Sequence, residues 1–337
     1  MKKILFASTA LIATASVAAA EVSFSGYGRF GIGYEEDRSG DVPNISTTAG
    51  GGVVTNTATV DTDNTILISR FRLNIDASTE TDSGVQFSAR VRLQADEDSG
   101  NGEAESAGLN GARFSVIYGG LRVDAGNVSG SFDNLPNYFG IEPGLEEFLG
   151  QYSGVDYSFL EYESTSAGDN AVFAQYTVGN FAFGASYDQL TVGINGSPTD
   201  SDRWDISAAY TFENITAALA YGRTDLPGGG DESLTVLTLG AEFGDFEGTL
   251  FLADDDVANS AENGTAYGFS GGYNIGAATT ITFAYGDGTA DNDTQQYGVG
   301  FIYDLGGGAT LRGAVGETTV GNGDGTVQAD FGAWFNF

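Results

Sequence analysis

The chain contains no cysteine and no histidine, and only 5 of its 337 residues are proline. Without cysteine there is no disulfide, no thiolate nucleophile and no thiolate-bound metal. Without histidine, imidazole acids, bases and catalytic triads are closed as well. Lysine is confined to Lys2 and Lys3, so no phosphate-loop or Schiff-base lysine exists further along. Basic residues of any kind are scarce, 13 Lys and Arg against 46 Asp and Glu, for a formal net charge of -33. That balance argues against nucleic acid as a partner, because a phosphate backbone is bound by clustered cations. Beyond the first twenty residues no apolar run approaches the roughly 20 residues that a membrane-crossing helix needs.

What the chain does have is glycine, 51 residues of it, and 12% aromatic residues. Together they fit a folded β-protein better than collagen or a disordered low-complexity chain. Residues 1–20 read as a cleaved secretory signal peptide: Lys2 and Lys3 form a positive start, Ile4 to Val17 is apolar, and Ala18-Ala19-Ala20 offers small residues for cleavage. Glu21 is then the mature N-terminus and 21–337 a single domain. Both lysines leave with the leader, so an exported chain remains whose only basic side chains are arginines.

Side chains of this domain alternate. Val22, Phe24, Phe30, Ile32 and Tyr34 share one parity, while Ser23, Ser25, Tyr27 and Arg29 share the other. A period of two marks a strand, whose successive side chains point to opposite faces. The pattern recurs at Phe71-Leu73-Ile75, Val85-Phe87-Ala89-Val91-Leu93, Trp204-Ile206-Ala208-Tyr210-Phe212 and Tyr267-Phe269-Gly271-Tyr273-Ile275, and again at Phe331-Ala333-Phe335-Phe337. Between such segments, seven short connections alternate with eight long polar ones. Gly119-Gly120, Gly179-Asn180 and Gly244-Asp245 are examples of the first kind; 35–63, 97–108, 128–170 and 188–202 are examples of the second. Fifteen connections join sixteen strands, and short turns at one end with long loops at the other describe an all-β, 16-stranded antiparallel transmembrane β-barrel.

Energy assigns the faces. An arginine facing lipid at mid-bilayer costs about 2 to 4 kcal/mol. Arg70 and Arg72 share parity with Asn74 and Asp76, and Arg90 and Arg92 with Gln86 and Gln94, so the polar parity is expected to line water and the apolar parity to meet lipid. A soluble sandwich would reverse this, and a closed sheet of sixteen strands is too wide for side chains to fill. Aromatics beside the short turns, such as Phe114 and Tyr118, Tyr176 and Phe181, Phe243 and Phe246, Phe301 and Tyr303, match an interfacial girdle.

The leader, the opening Glu21-Val22-Ser23-Phe24-Ser25-Gly26-Tyr27-Gly28-Arg29, the hairpin Thr81-Asp82-Ser83-Gly84-Val85-Gln86-Phe87, the turn Tyr303-Asp304-Leu305-Gly306-Gly307-Gly308 and the terminal Phe337 resemble a general diffusion porin of the Rhodobacter and alphaproteobacterial type. The likeness spans essentially the whole mature chain. It implies a bacterial outer-membrane channel for passive diffusion of small hydrophilic solutes and ions, assembled as a homotrimer. It also implies that the third surface loop, 128–170, folds into the pore and narrows it, and that Phe337 belongs to a C-terminal signal read by the assembly machinery.

That loop is the longest connection, and it carries the acids Asp133, Glu142, Glu146 and Glu147 among interleaved aromatics, a composition that favours packing over disorder. Arg29, Arg70, Arg72, Arg90, Arg92 and Arg122 take lumen parity, and those from the first three strands, with neighbours about 4.8 Å apart, are expected to form a patch. Pairing with Asp76, Asp96 and Asp124 is expected to hold the patch together. Patch and loop acids are expected to face one another across a constriction, where their field orders water and polar solutes. The acid excess points to cation preference. Surface acids offer oxygen ligands for divalent ions bridging to lipopolysaccharide, so Ca²⁺ is considered at acidic loops such as Asp254-Asp255-Asp256, although no cofactor is required. An enzyme is disfavoured: a carboxylate pair alone could serve a glycosidase, but no acid pair stands out. A Ca²⁺-binding β-roll needs tandem repeats, and Gly321-Asn322-Gly323-Asp324-Gly325 stands alone. The alternative of weight is a solute-specific channel on the same barrel.

Overall fold

The computed structural model describes residues 20–47, 53–194, 197–227 and 229–337; apart from Ala20, the expected signal peptide lies outside them. Among the described residues there are nineteen strands. They begin with β1 (Glu21–Glu35), β2 (Ser39–Thr47), β3 (Val53–Asp61), β4 (Thr65–Glu80), β5 (Gln86–Asp96), β6 (Gly108–Leu109) and β7 (Arg113–Tyr118). Next come β8 (Leu121–Gly126), β9 (Ala171–Val178), β10 (Phe181–Ile194), β11 (Ser197–Phe212), β12 (Ile215–Asp225) and β13 (Asp231–Phe243). The series ends with β14 (Phe246–Asp256), β15 (Gly264–Ile275), β16 (Thr279–Asp287), β17 (Thr294–Gly306), β18 (Ala309–Val320) and β19 (Thr326–Asn336).

β2 and β3 pair with each other as a hairpin on the first long connection. All other strands join one antiparallel sheet, in which β1 pairs with β4 on one side and with β19 on the other. β6 and β7 both pair with β5 and are two pieces of one strand, interrupted at 110–112. The closed wall therefore has the sixteen strands the alternation predicts. Closure leaves no unpaired edge, which is what lets a sheet cross hydrocarbon. At the seam, Gly26 and the last residue, Phe337, exchange two backbone hydrogen bonds of 3.0 Å, and the Phe337 ring stacks on Phe71.

The faces lie as the energy argument requires. On β1, Phe24 is 65% exposed and Arg29 only 6%. Phe71, Phe87, Ile206, Leu219, Leu237, Leu250, Phe269, Val299 and Phe331 are likewise exposed, on the outer face. Among the aromatics next to the short turns, Tyr118, Tyr176, Phe181, Phe243, Phe246 and Tyr303 are exposed and form a band at one rim.

Three features depart from the sequence reading. The 188–202 connection is not an irregular loop, because β10 and β11 stay paired out to Ile194 and Ser197. The 35–63 connection carries a hairpin of its own. The inner wall is not uniformly polar: Ala209, Ala218, Ala220, Leu234, Val236, Phe251, Ala253 and Ala266 are buried on it, under Phe132, Leu135, Tyr138, Tyr157 and Phe159 of segment 128–170. The largest hydrophobic core thus lies inside the barrel, between loop and wall, where each fully buried ring or aliphatic chain contributes about 1.5 to 3 kcal/mol.

Candidate functional site

Segment 128–170 forms none of the strands, so its amide groups need other partners. They find them on the inner wall. Asp330 on β19 accepts N–H from Leu145, Glu146 and Glu147 through one oxygen, at 2.7, 2.9 and 3.3 Å. Gln296 on β17 accepts from Leu149 and Gly150 at 2.6 and 3.0 Å. Ser270 on β15 accepts from Ile141 at 2.8 Å, Asp255 on β14 from Asp156 and Tyr157 at 2.6 and 3.0 Å, and Asp205 on β11 from Ser131 at 2.9 Å. All five wall residues are buried. The loop is therefore laid along the inside of the barrel, and its tip at 143–147 reaches β1 and β4. Gly144 makes the tip possible: its φ is 82°, and a Cβ there would strike the Asp330 carboxylate. The returning arm docks where β6 and β7 are interrupted, with Asn110 and Asn127 donating to the Glu163 carbonyl at 2.6 and 2.9 Å.

The six arginines singled out from sequence all lie on the inner face, in three different settings. Arg29 is buried beneath the loop tip, donating to the Leu145 carbonyl at 2.8 Å and pairing with Glu146. Arg70 bridges Asp96 at 2.7 Å and Glu146 at 2.9 Å. Arg90 meets both oxygens of Asp76, at 2.6 and 3.1 Å, and Arg122 pairs with Asp124. Arg72 and Arg92 form no carboxylate pair among the described residues. Arg72 donates to Gln94 and lies 5.1 Å from the Tyr27 ring centre; Arg92 donates to Asn74 and to Ser164 and lies 4.6 Å from that of Tyr162. Further inward arginines escaped the sequence reading, among them Arg113 on β7, Arg203 on β11 and Arg312 on β18. Parity opposite Phe114 could have revealed Arg113. Arg312 joins the group only because β18 and β19 close against β1.

The four loop acids separate similarly. Glu146 does not stand across a gap from the patch but sits against Arg29 and Arg70. Glu147 pairs with Arg38 at 3.2 Å, Asp133 accepts from the Tyr162 amide at 3.4 Å, and Glu142 accepts from the Tyr152 hydroxyl at 2.7 Å while open to the bore. Burial pushes the Glu146 carboxyl up to about 7 against the opposing pull of Arg29 and Arg70. Enclosure by the barrel likewise raises Asp133, Glu142 and Glu147. Tyr27, Arg29, Arg70, Arg72, Arg312 and Trp334 on the wall and Glu142, Leu145, Glu146 and Leu149 on the loop enclose a cavity of about 280 Å³. Asp254-Asp255-Asp256 alternates across β14, its middle residue buried under the loop, so the three carboxylates do not converge; no group of three or more acidic side chains fit to hold a metal occurs among the described residues.

Residues 7–323 match the model of the Gram-negative porin family. The chain belongs to that family. It is 31% identical over 330 residues to a porin of Fuscovulum blasticum, covering 94% of this chain and all of the relative. It is 29% identical over 293 residues to a porin of Rhodobacter capsulatus, covering 80% and 93% of the two chains. A solved structure of a mutant Rh. blastica porin superposes with a TM-score of 0.73 at 27% identity, over 94% of this chain and 100% of that one. This porin accordingly resides in the outer membrane of a Gram-negative bacterium, as an aqueous channel through which small hydrophilic solutes and ions diffuse passively.

Proposed function

We propose that solutes pass this porin through a constriction between the arginine-bearing wall and the 128–170 loop, sorted by size, with cations preferred. The observation that carries this reading is the cavity of about 280 Å³, which has guanidinium groups on its wall side and Glu142 on its loop side. Opposite charges a few ångströms apart order the water between them, and an apolar solute must disrupt that order to pass. Cation preference follows from the 46 acids, many at the loop mouths, acting on a wall whose arginines are mostly neutralised by pairing.

The functional unit in this reading is a homotrimer, and β1 starting at Glu21 supports removal of residues 1–20 on export. Phe337 has a seam-closing role in the finished wall and, on this proposal, an earlier one as part of the assembly signal. Calcium is confined to rim carboxylates bridging to lipopolysaccharide phosphates. Conductance in planar bilayers combined with liposome swelling for sugars of graded size tests the channel. Swelling that falls smoothly with size supports nonspecific diffusion, whereas saturation by one sugar would replace it with a solute-specific channel. A zero-current potential showing anion preference would overturn the selectivity.

A further inference from the structure

Four residues from four neighbouring strands form a row across the inner wall: Arg72 on β4, Tyr27 on β1, Trp334 on β19 and Arg312 on β18. Tyr27 lies directly opposite Arg72 in the ladder. The Tyr27 and Trp334 rings stack with centres 4.1 Å apart, and guanidinium groups lie 5.1 Å from the first and 4.4 Å from the second. Neither terminal arginine forms an ion pair among the described residues, unlike Arg29, Arg70, Arg90 and Arg122. The rings explain how these charges are tolerated, since a π-face attracts a cation without neutralising it. Much of their hydrogen-bonding capacity is unspent: Arg312 gives one bond, to Thr310 at 3.2 Å, and Arg72 gives bonds to Gln94 and Ser164, out of five N–H donors each.

The loop faces this row with an apolar side chain. Leu149 is 50% exposed, yet it looks into the aqueous bore and not toward lipid, and Leu145 and Phe148 lie beside it in the same cavity. An inorganic anion would use the guanidinium groups and leave Leu149 in water. A ligand with a charged end and a greasy end would satisfy both.

We propose that this row and the facing loop form a binding subsite for small organic anions with an apolar body, aryl carboxylates being the simplest case. The inference rests on the channel reading above and deepens it. The acid-rich mouths favour cations in bulk flow, while the row retains an occasional anion by direct contact. The carboxylate engages free guanidinium N–H groups, and the ring lies between Leu149 and the edges of Tyr27 and Trp334.

The test is single-channel recording at constant ionic strength with benzoate, acetate or benzamide added. Benzoate is expected to interrupt the current at concentrations where the other two do not. Replacing Arg312→Gln should weaken the benzoate block about tenfold, the usual order for one hydrogen bond to a charged group. Equal potency of benzamide would overturn the anionic component, and equal potency of acetate the apolar one. Open, conducting channels indifferent to benzoate would sink this inference and leave the porin reading standing, whereas absence of any conductance would sink the porin reading itself. A second measurement keeps every arginine in place. There are two tryptophans, and Trp204 lies on the outer face, so Trp204→Phe leaves Trp334 as reporter. Its emission should change on titration with benzoate and not with acetate; an unchanged emission would overturn the proposal.

Discussion

At Asp330 one carboxylate oxygen takes three consecutive amide N–H groups of the loop tip. Such a nest of amides favours an anion, and each buried donor left unmet costs about 1 to 3 kcal/mol. Asp330→Ala is therefore expected to release the tip and enlarge the sugar cutoff in liposome swelling, with Asp330→Asn, which keeps an acceptor, causing a smaller change. Glu146 sets a pH dependence. Its carboxyl is pushed up to about 7 from an ordinary 4.5, so the folded state holds this proton more tightly than the unfolded chain. Its favourable contribution to loop docking is full below about 4.5 and lost as pH rises through about 7. Selectivity changes in the opposite sense, because protonation removes a negative charge beside Arg29 and Arg70. Cation preference, read as zero-current potential, should fall between pH 8 and pH 6, and Glu146→Gln should abolish that step.

Among the elements, the strands were readable and the loop's path was not. Alternation along β1, β4 and β5 records a choice made locally, residue by residue, between lipid and water, and the seven short turns punctuate it with glycines such as Gly119 at φ 57°. The docking of 128–170 depends on Asp205, Asp255, Ser270, Gln296 and Asp330, scattered over β11 to β19. In sequence these look like ordinary lumen polar residues. The alanines under the loop look like neutral strand positions, though they are small because aromatic rings lie on them. A loop-specific lesion should separate the two layers of the molecule. Gly144→Val forces a β-branched residue into the left-handed region, at about 1 to 2 kcal/mol, and into the Asp330 carboxylate. It should raise single-channel conductance while leaving the heat resistance of the barrel, followed by gel mobility, unchanged. Conductance equal to wild type would mean that the tip does not narrow the path.

The molecule as a whole has its apolar surface outside, paired arginines and carboxylates inside, and a large acid excess. Selectivity in the proposed reading comes chiefly from charge at the mouths, several ångströms to tens of ångströms from a passing ion. It must then depend on salt. The screening length shrinks from about 30 Å at 0.01 M to about 3 Å at 1 M. Zero-current potentials measured with a fixed tenfold KCl ratio should show strong cation preference in the dilute range and little at molar salt. Selectivity unchanged across that range would place its origin in direct contacts at the constriction.

Local chemistry carried the inside-out barrel: each side chain's transfer between hydrocarbon and water is decided by that side chain, so strand number, facing and sidedness were written in the alternation of 21–337. That Arg29, Arg70, Arg72, Arg90, Arg92 and Arg122 face inward was legible for the same reason. The pairing of Arg70, Arg90 and Arg122 with Asp96, Asp76 and Asp124 lies within or between adjacent strands, but where Glu146 sits and how Arg312 and Trp334 come to flank Tyr27 were decided by tertiary structure alone. Each depends on the chain's two ends meeting at the seam or on a loop crossing the bore. Such contacts join segments well separated along the chain, and no local pattern records a distance closed only when the sheet closes.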